Sequence, residues 1–173
     1  MAGFHAPMNI QHFLNHIIIP TLDFVAAGLP SGPGAGFKSR AAQELLLGTV
    51  AQESNFKHLV QIGGPALGFY QIEPATFRDL YANYLAFKPD LKARVDQLAS
   101  MRFEPRERQL VSNLSYATAI ARLIYYRSPI ALAAAGDIAG HARVWKRVYN
   151  TPLGRGTEAE FINNYQRFVA GQI

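Results

Sequence analysis

Apolar residues recur at the three- and four-residue spacing of a helix along almost the whole chain, and this pattern restricts the fold more than any other feature. No segment shows the strict alternation of apolar and polar residues that is typical of a half-buried strand. The 173 residues contain no repeat and no linker long enough to divide them. We therefore predict a mainly α fold with a single domain over residues 1–173, in which residues 1–38 form an N-terminal helical extension packed on the rest.

Caps and turn residues predict where the helices begin and end. Residues 9–29 are predicted to be helical with a bend or break at Pro20, and the Gly- and Pro-rich run 30–36 to be a connection. Ser39 is a suitable N-cap for a helix that reaches about Ser54. A short extended or hairpin segment is expected at 69–72. The remaining helices are expected at 74–87, 90–101, 106–127 and 130–149, and from Thr157, where Thr-Glu-Ala-Glu has capping-box spacing.

The net charge of +5 favours polyanionic partners such as nucleic acid, acidic membranes or a bacterial cell wall, but it does not choose among them. Acidic residues interleave with the basic ones between Lys88 and Arg108, so this run is interpreted as a solvated helical surface and not as a nucleic-acid site. The most apolar stretch, 13–29, contains Pro20 and Asp23 and is not expected to insert into a membrane. The first residues lack the basic region and apolar run of a secretory signal, so no signal peptide is expected.

Glu53 is the strongest candidate for a catalytic residue. At 100° per residue it lies on the apolar stripe of Leu46, Thr49 and Val50, whereas Glu44 is predicted to lie on the opposite side of the helix, facing water. A carboxyl group at the end of an apolar stripe loses hydration, which raises its pKa and keeps a proton available near neutral pH. Glycosidic cleavage needs such an acid to protonate the departing sugar oxygen. The alternative is that Glu53 is a structural helix-end residue.

Glu53 also belongs to a series of short motifs that keep their order along the chain. These are Leu-Leu-Gly-Thr-Val-Ala-Gln-Glu-Ser (46–54), Gly-Pro-Ala-Leu-Gly (64–68), Gln71, Pro-Ala-Thr (74–76), Asn-Leu (113–114) and Val-Tyr-Asn (148–150). The series resembles the lytic transglycosylase and goose-type lysozyme families over roughly residues 40–150, and most of all their phage-encoded branch. The resemblance implies a mainly α, lysozyme-like domain with one catalytic centre.

The resemblance implies a role for each matched residue. Glu53 would be the catalytic acid and then the base. Ser54 and Gln71 would bind neighbouring sugars, or Glu53, by hydrogen bonds. Gly68 would let the backbone approach the glycan where a side chain would obstruct it.

The matched residues near position 150 are expected to form another wall of the same site. Tyr149 would reach Glu53 with its hydroxyl group, and Asn150 would brace that wall. The alternative is that the polar side chains satisfy loop backbone groups and that Tyr149 belongs to the core.

The chain departs from the family pattern after Asn150, where the loop is two residues longer, which leaves a binding role of Gly154 open. It also departs at Glu73, a possible second carboxyl group, although an acid at a helix start favours a capping role.

Two other patterns that could bind ligands are rejected. The run Gly32–Ser39 resembles a phosphate-binding loop, but Phe37 separates the glycine from Lys38 and no buried strand precedes it. His12 and His16 have the spacing of two zinc ligands without a catalytic glutamate between them. We therefore expect no cofactor and no metal.

The resemblance implies an enzyme that cleaves the β-1,4 bond between N-acetylmuramic acid and N-acetylglucosamine in peptidoglycan. With one carboxyl group evident, the substrate's 2-acetamido group would assist, and the muramyl 6-hydroxyl would close a 1,6-anhydro ring in a lytic transglycosylase, whereas water would attack in a hydrolase. A phage protein of this kind would act in host cell-wall penetration or lysis, from the virion or from the host cytoplasm and then the periplasm. Its partners would be glycan strands and could include other tail proteins. The alternative is a virion structural protein that keeps the fold without turnover, and a nucleic-acid-binding helical protein is a weaker one.

Overall fold

The computed structural model describes residues 8–100, 104–150 and 154–173, and within these ranges the chain is helical with no β-strand, as the mainly α prediction requires. No helix in these ranges is long and apolar enough to cross a membrane. The prediction about a signal peptide falls largely on residues 1–7, which lie outside the described ranges. The helices are α1 (Ile10–Phe13), a first π-helical turn (Leu14–Ile18), α2 (Ile19–Ala26), α3 (Ser31–Phe37), α4 (Arg40–Ser54), α5 (Pro74–Asn83), a 3₁₀ turn (Leu85–Phe87), α6 (Pro89–Asp96), α7 (Gln109–Ser112), α8 (Leu114–Tyr126), α9 (Ile138–Trp145), a second π-helical turn (Lys146–Asn150) and α10 (Glu158–Phe168).

Helix α4 lies at the centre of the fold, where α8, α9, α10 and the first π-helical turn pack around it. It begins as predicted, because the hydroxyl group of Ser39 accepts a hydrogen bond from the backbone of Ala42 at 3.3 Å. Eleven of its fifteen residues are buried, so it has no continuous water-facing stripe. The prediction that Glu44 faces water is therefore wrong, and its exposed fraction is 6%.

The N-terminal helix continues through Pro20, so of the predicted bend or break the break is not formed. The first π-helical turn ends two residues before Pro20, and the N–H of Ile19 bonds to the carbonyl oxygen of Leu14, five residues back. Because a π-turn is wider than an α-turn, it accommodates the proline ring, which has no N–H to donate.

The Gly- and Pro-rich run after Pro30 is also helical, as α3, instead of the predicted connection. Pro33 lies in the first turn of α3, where backbone N–H groups have no partner within the helix, so a proline costs little. The ring of Phe37 is fully buried at the other end and ties α3 to the core. Tertiary packing therefore outweighs the low helix propensity of the glycines.

Between α4 and α5 the chain forms a bent loop. Leu67 makes isolated antiparallel bridges with Val60 and Ile72, and the N–H of Gln71 donates to the carbonyl oxygen of Gly68 at 3.0 Å. The segment predicted at 69–72 as extended or hairpin-like is thus a turn, of which only the last residue pairs with a neighbouring segment.

The C-terminal half follows the predicted helices with shorter bounds. Helix α6 ends at Asp96, and position 101 of the predicted 90–101 helix lies outside the described residues. Asn113 interrupts the predicted 106–127 helix because its side chain caps α8, and Asp137 delays the predicted 130–149 helix because it caps α9. Helix α10 begins with the predicted capping box at Thr157.

Candidate active site

A cleft of about 530 Å³ opens beside the C-terminal end of α4. It lies between the end of α4, the loop before α5, the end of α8 and the segment that follows α9. The residues that line it include Glu53, Gln71, Glu73, Arg127, Tyr149 and Asn150. The structure therefore brings four of the six residues implied by the motif series to one cleft.

The chain turns sharply after Glu53. Asn55 ends α4 in the left-handed conformation with φ 51°, a conformation that asparagine tolerates at helix ends. Phe56 follows with φ 55°, which is rare for a bulky residue and costs free energy. Its buried ring packs edge-on against Phe13 at 6.0 Å and lies 6.4 Å from Phe168, and these contacts hold the strained turn. The turn leaves Glu53 at the cleft end of its helix.

The surroundings of Glu53 favour its protonated form. Burial raises the pKa of Glu53 to about 7, although a hydrogen bond from Trp145 acts in the opposite direction. The indole Nε1 of Trp145 donates to Oε1 of Glu53 at 2.8 Å. The predicted rise of the pKa on an apolar stripe is confirmed. Near pH 7 the carboxyl group can both give and take a proton, which general acid–base chemistry requires.

The sequence interpretation did not identify Trp145 as a site residue. It lies at the end of α9, is fully buried, and packs against the ring of Phe161 with a centroid distance of 5.5 Å. Two signals could have drawn attention to it: it is the only tryptophan in the chain, and it precedes the Val-Tyr-Asn motif by three residues.

Ser54 and Gly68, which the resemblance places at the glycan, face the protein interior instead. The side chain of Ser54 is 1% exposed, and its Oγ donates to the carbonyl oxygen of Val50 at 3.2 Å. Gly68 has φ 73°, and a Cβ atom there would overlap the carbonyl oxygen of Leu110. The close backbone approach at Gly68 is therefore to the chain's own backbone, and the hydroxyl group of Ser54 bonds within its own helix.

Gln71 and Tyr149 line the cleft, but their hydrogen bonds go to backbone groups. Nε2 of Gln71 donates to the carbonyl oxygens of Gly68 at 2.7 Å and His58 at 3.3 Å. The hydroxyl group of Tyr149 donates to the carbonyl oxygen of Tyr70 at 2.8 Å, so the implied bond to Glu53 is not formed. Burial raises the pKa of Tyr149 well above its ordinary value, which keeps this hydroxyl group a donor.

Lys146 organises the wall that contains Asn150. Its Nζ donates to Oδ1 of Asn150 at 2.7 Å and to the carbonyl oxygens of Gly154 at 2.7 Å and Gly156 at 2.8 Å. These three bonds join the two sides of positions 151–153, which lie outside the described residues. The expected bracing role of Asn150 thus depends on a lysine that the motif series did not include.

Glu73 supplies a second carboxyl group to the cleft, at the N-cap position of α5. Its side chain makes no capping hydrogen bond, so it stabilises the helix at most through its charge. The cations on the cleft wall are Arg127, which pairs with Asp79 at 2.6 Å, and Arg155.

The described residues contain no cluster of three or more His, Cys, Asp or Glu side chains that could hold a metal ion. His12 and His16 are exposed on the surface of the N-terminal helix. No protein-family model, curated protein or solved structure matches this chain.

Proposed function

We propose that this protein is a peptidoglycan-cleaving enzyme with a lysozyme-like domain and with Glu53 as its general acid. The observation that carries the proposal is the position of Glu53 at an open cleft, in surroundings that raise its pKa to about 7 and with Trp145 bonded to one oxygen. A glycosidase needs an acid of this kind, because the sugar oxygen must receive a proton as its bond to the anomeric carbon breaks. The ordered motif series around Glu53 supports peptidoglycan as the substrate class, and its likeness to the phage-encoded branch supports a role in host cell-wall penetration or lysis.

The reaction that we propose is a lytic transglycosylation. Glu53 protonates the glycosidic oxygen, which leaves with N-acetylglucosamine, while the 2-acetamido oxygen of the muramyl sugar bonds to the anomeric carbon. The carboxylate of Glu53 then takes the proton of the muramyl 6-hydroxyl, whose oxygen displaces the acetamido oxygen and closes a 1,6-anhydro ring. No water is consumed, and Glu53 ends protonated as it began.

The test of the catalytic acid is Glu53→Gln, with Glu158→Gln as the matched control, because Glu158 is exposed in the first turn of α10. The Glu53 variant should fold and lose roughly a hundred- to ten-thousandfold in the release of soluble fragments from purified peptidoglycan, since an amide cannot supply the proton. The Glu158 variant should match the parent. Parent-like release by Glu53→Gln would overturn the assignment, and a folded parent that releases no fragments would favour a virion structural role.

The reaction type is tested by the mass of the released fragments. A transglycosylase yields anhydro products that are lighter by one water than hydrolytic products, and Glu73→Gln should then retain most of the parent rate. If Glu73 instead activates water, the parent will release only reducing fragments and Glu73→Gln will be inactive. That pair of results would replace transglycosylation by two-carboxylate hydrolysis.

A further inference from the structure

Glu44 and His141 form a buried polar contact near the beginning of α4, nine residues before Glu53. Nε2 of His141 lies 3.1 Å from Oε2 of Glu44, and His141 is fully buried. The same oxygen accepts the backbone N–H of Gly136 at 2.7 Å, and Oε1 accepts Nε of Arg40 at 3.0 Å. Because a carboxylate only accepts, His141 donates through Nε2, and its Nδ1 is buried without a partner among the described residues.

Glu44 is held in its ionised form. Burial acts to raise the pKa of Glu44, but the hydrogen bonds from Gly136, His141 and Arg40, together with the charge of Arg40, outweigh burial and keep the pKa below its ordinary value. A buried carboxylate of this kind holds the groups that donate hydrogen bonds to it in place, because removing one donor leaves its buried negative charge without compensation. Two of the three donors lie outside α4, namely His141 of α9 and Gly136 of the loop that leads into α9, whereas Arg40 belongs to α4 itself.

Glu44 links α4 to α9, and these two helices also carry the contact between Glu53 and Trp145. Helix α4 holds Glu44 near its beginning and Glu53 near its end, and α9 holds His141 one turn before Trp145. The contact of His141 with Glu44 and the contact of Trp145 with Glu53 therefore connect the same two helices at separate points. Phe161 of α10 packs on the other side of Trp145 and on Gly48 of α4, where a Cβ atom would overlap the ring.

We propose that Glu44 and His141 are positioning residues, which hold α9 on α4 so that the indole of Trp145 meets the carboxyl group of Glu53. The catalytic consequence rests on the proposed function, whereas the structural link between the two contacts does not. When the link is broken, α9 loses its register on α4 and the Trp145 hydrogen bond lengthens. Glu53 then keeps its apolar surroundings but loses the donor that stabilises its ionised form.

Charged and ionisable groups from several elements face the two carboxyl groups. The test therefore needs a signal that reports the ionisation of Glu53 alone. Around Glu44 they are Arg40, His141 and Tyr165, and around Glu53 they are Tyr125, Tyr149, Glu73, Arg127 and Arg155. The emission of Trp145, the single tryptophan of the chain, provides this signal, because its Nε1 bonds directly to Glu53 and its emission should follow the ionisation of that group. We expect the parent emission to titrate with a midpoint at about pH 7 and expect this transition to be absent in Glu53→Gln.

The decisive variants are His141→Leu and His141→Gln, measured by tryptophan emission against pH. Leucine fills the space of the histidine ring but has no donor, so the midpoint should move upward by about half to one pH unit. This is only part of the shift expected if the hydrogen bond from Trp145 to the ionised Glu53 were lost completely. Glutamine places an amide N–H at a similar distance from the backbone and should return the midpoint to the parent value. If His141→Leu does not fold, Glu44→Gln provides the second test, and its midpoint should move in the same direction by less.

The control is Gln109→Leu, which removes a buried polar side chain of α7 whose hydrogen bonds go to Ser100 and Glu104. It should lower the melting temperature and leave the midpoint unchanged. An unchanged midpoint in both His141→Leu and Glu44→Gln, with both folded, would overturn the positioning role and leave the contact purely structural. Because emission needs no substrate, this result is independent of whether the protein cleaves peptidoglycan. If it does, His141→Leu should reduce kcat several-fold at constant KM and His141→Gln should restore it.

Discussion

The indole N–H of Trp145 donates to a carboxylate oxygen of Glu53 at 2.8 Å, and the two residues lie 92 positions apart in the chain. The two influences on Glu53 oppose each other, since apolar surroundings favour its protonated form and the indole favours its ionised form. Their balance brings the pKa to about 7, and because the indole bonds to Oε1, the proton of the neutral carboxyl group is favoured on Oε2. Burial without the indole would produce a weaker acid with a poorly oriented proton.

The pH dependence of the proposed reaction follows from this balance. Since Glu53 must be protonated to act as the acid, kcat/KM should fall as the pH rises through about 7. Trp145→Phe removes the donor to the ionised form, so the fall should move upward by about one pH unit while kcat decreases at the optimum. Rates of peptidoglycan cleavage measured from pH 4 to 9 would check this. A fall at the same pH in the parent and in Trp145→Phe would contradict it.

The same carboxyl group should make stability depend on pH. The folded pKa of Glu53 lies above its ordinary value of 4.5, so its contribution to stability is complete below about pH 4.5 and is lost as the pH rises through about 7. Glu53→Gln carries no such loss. Relative to the parent, it should therefore gain roughly 1–3 kcal/mol in the free energy of unfolding between pH 4.5 and pH 8.5. Urea unfolding at both pH values measures the gain, and Glu158→Gln should show none.

Two glycines with the same backbone conformation distinguish the stability cost of backbone strain from the cost of a steric overlap. Gly63 has φ 74° and Gly68 has φ 73°, but a Cβ atom would meet nothing within 4 Å at Gly63, whereas at Gly68 it would overlap the carbonyl oxygen of Leu110. Gly63→Ala should cost about 1 kcal/mol from the backbone conformation alone. Gly68→Ala should cost roughly 3 kcal/mol or more, because the backbone of α7 must also move. Equal losses in thermal or urea unfolding would show that the contact with Leu110 is not tight.

The wall around Asn150 should depend on Lys146. Lys146→Met keeps most of the length of the side chain but removes three hydrogen bonds, to Asn150, Gly154 and Gly156. We expect KM for peptidoglycan fragments to rise about tenfold or less, because disorder of one wall weakens substrate binding before it affects the acid. Arg147→Met makes the same change of charge at an exposed neighbour and should leave KM unchanged. A fall in kcat at constant KM would show that Lys146 acts on the reaction itself.

Features that depend on a short stretch of chain were predictable from the sequence. The helical spacing of apolar residues indicated a mainly α fold, and the side chains of Ser39 and Thr157 begin α4 and α10 as predicted, because a cap acts within one turn. The stripe that ends at Glu53 correctly indicated burial and a raised pKa, since residues three and four apart share one face of a helix.

Features that depend on what packs against a helix were decided only by the tertiary structure. A single-helix pattern cannot show that α4 is covered on every side, which is why Glu44 was expected in water and is instead buried against His141. The same holds for Trp145 as the partner of Glu53, and for Tyr149, whose hydroxyl group bonds to Tyr70 instead of Glu53. These contacts join residues about 80 to 100 positions apart, and the position of one helix on another sets them. The sequence by itself therefore indicated Glu53 as a buried carboxyl group with a raised pKa, whereas the packing of α9 on α4 decided which group bonds to it.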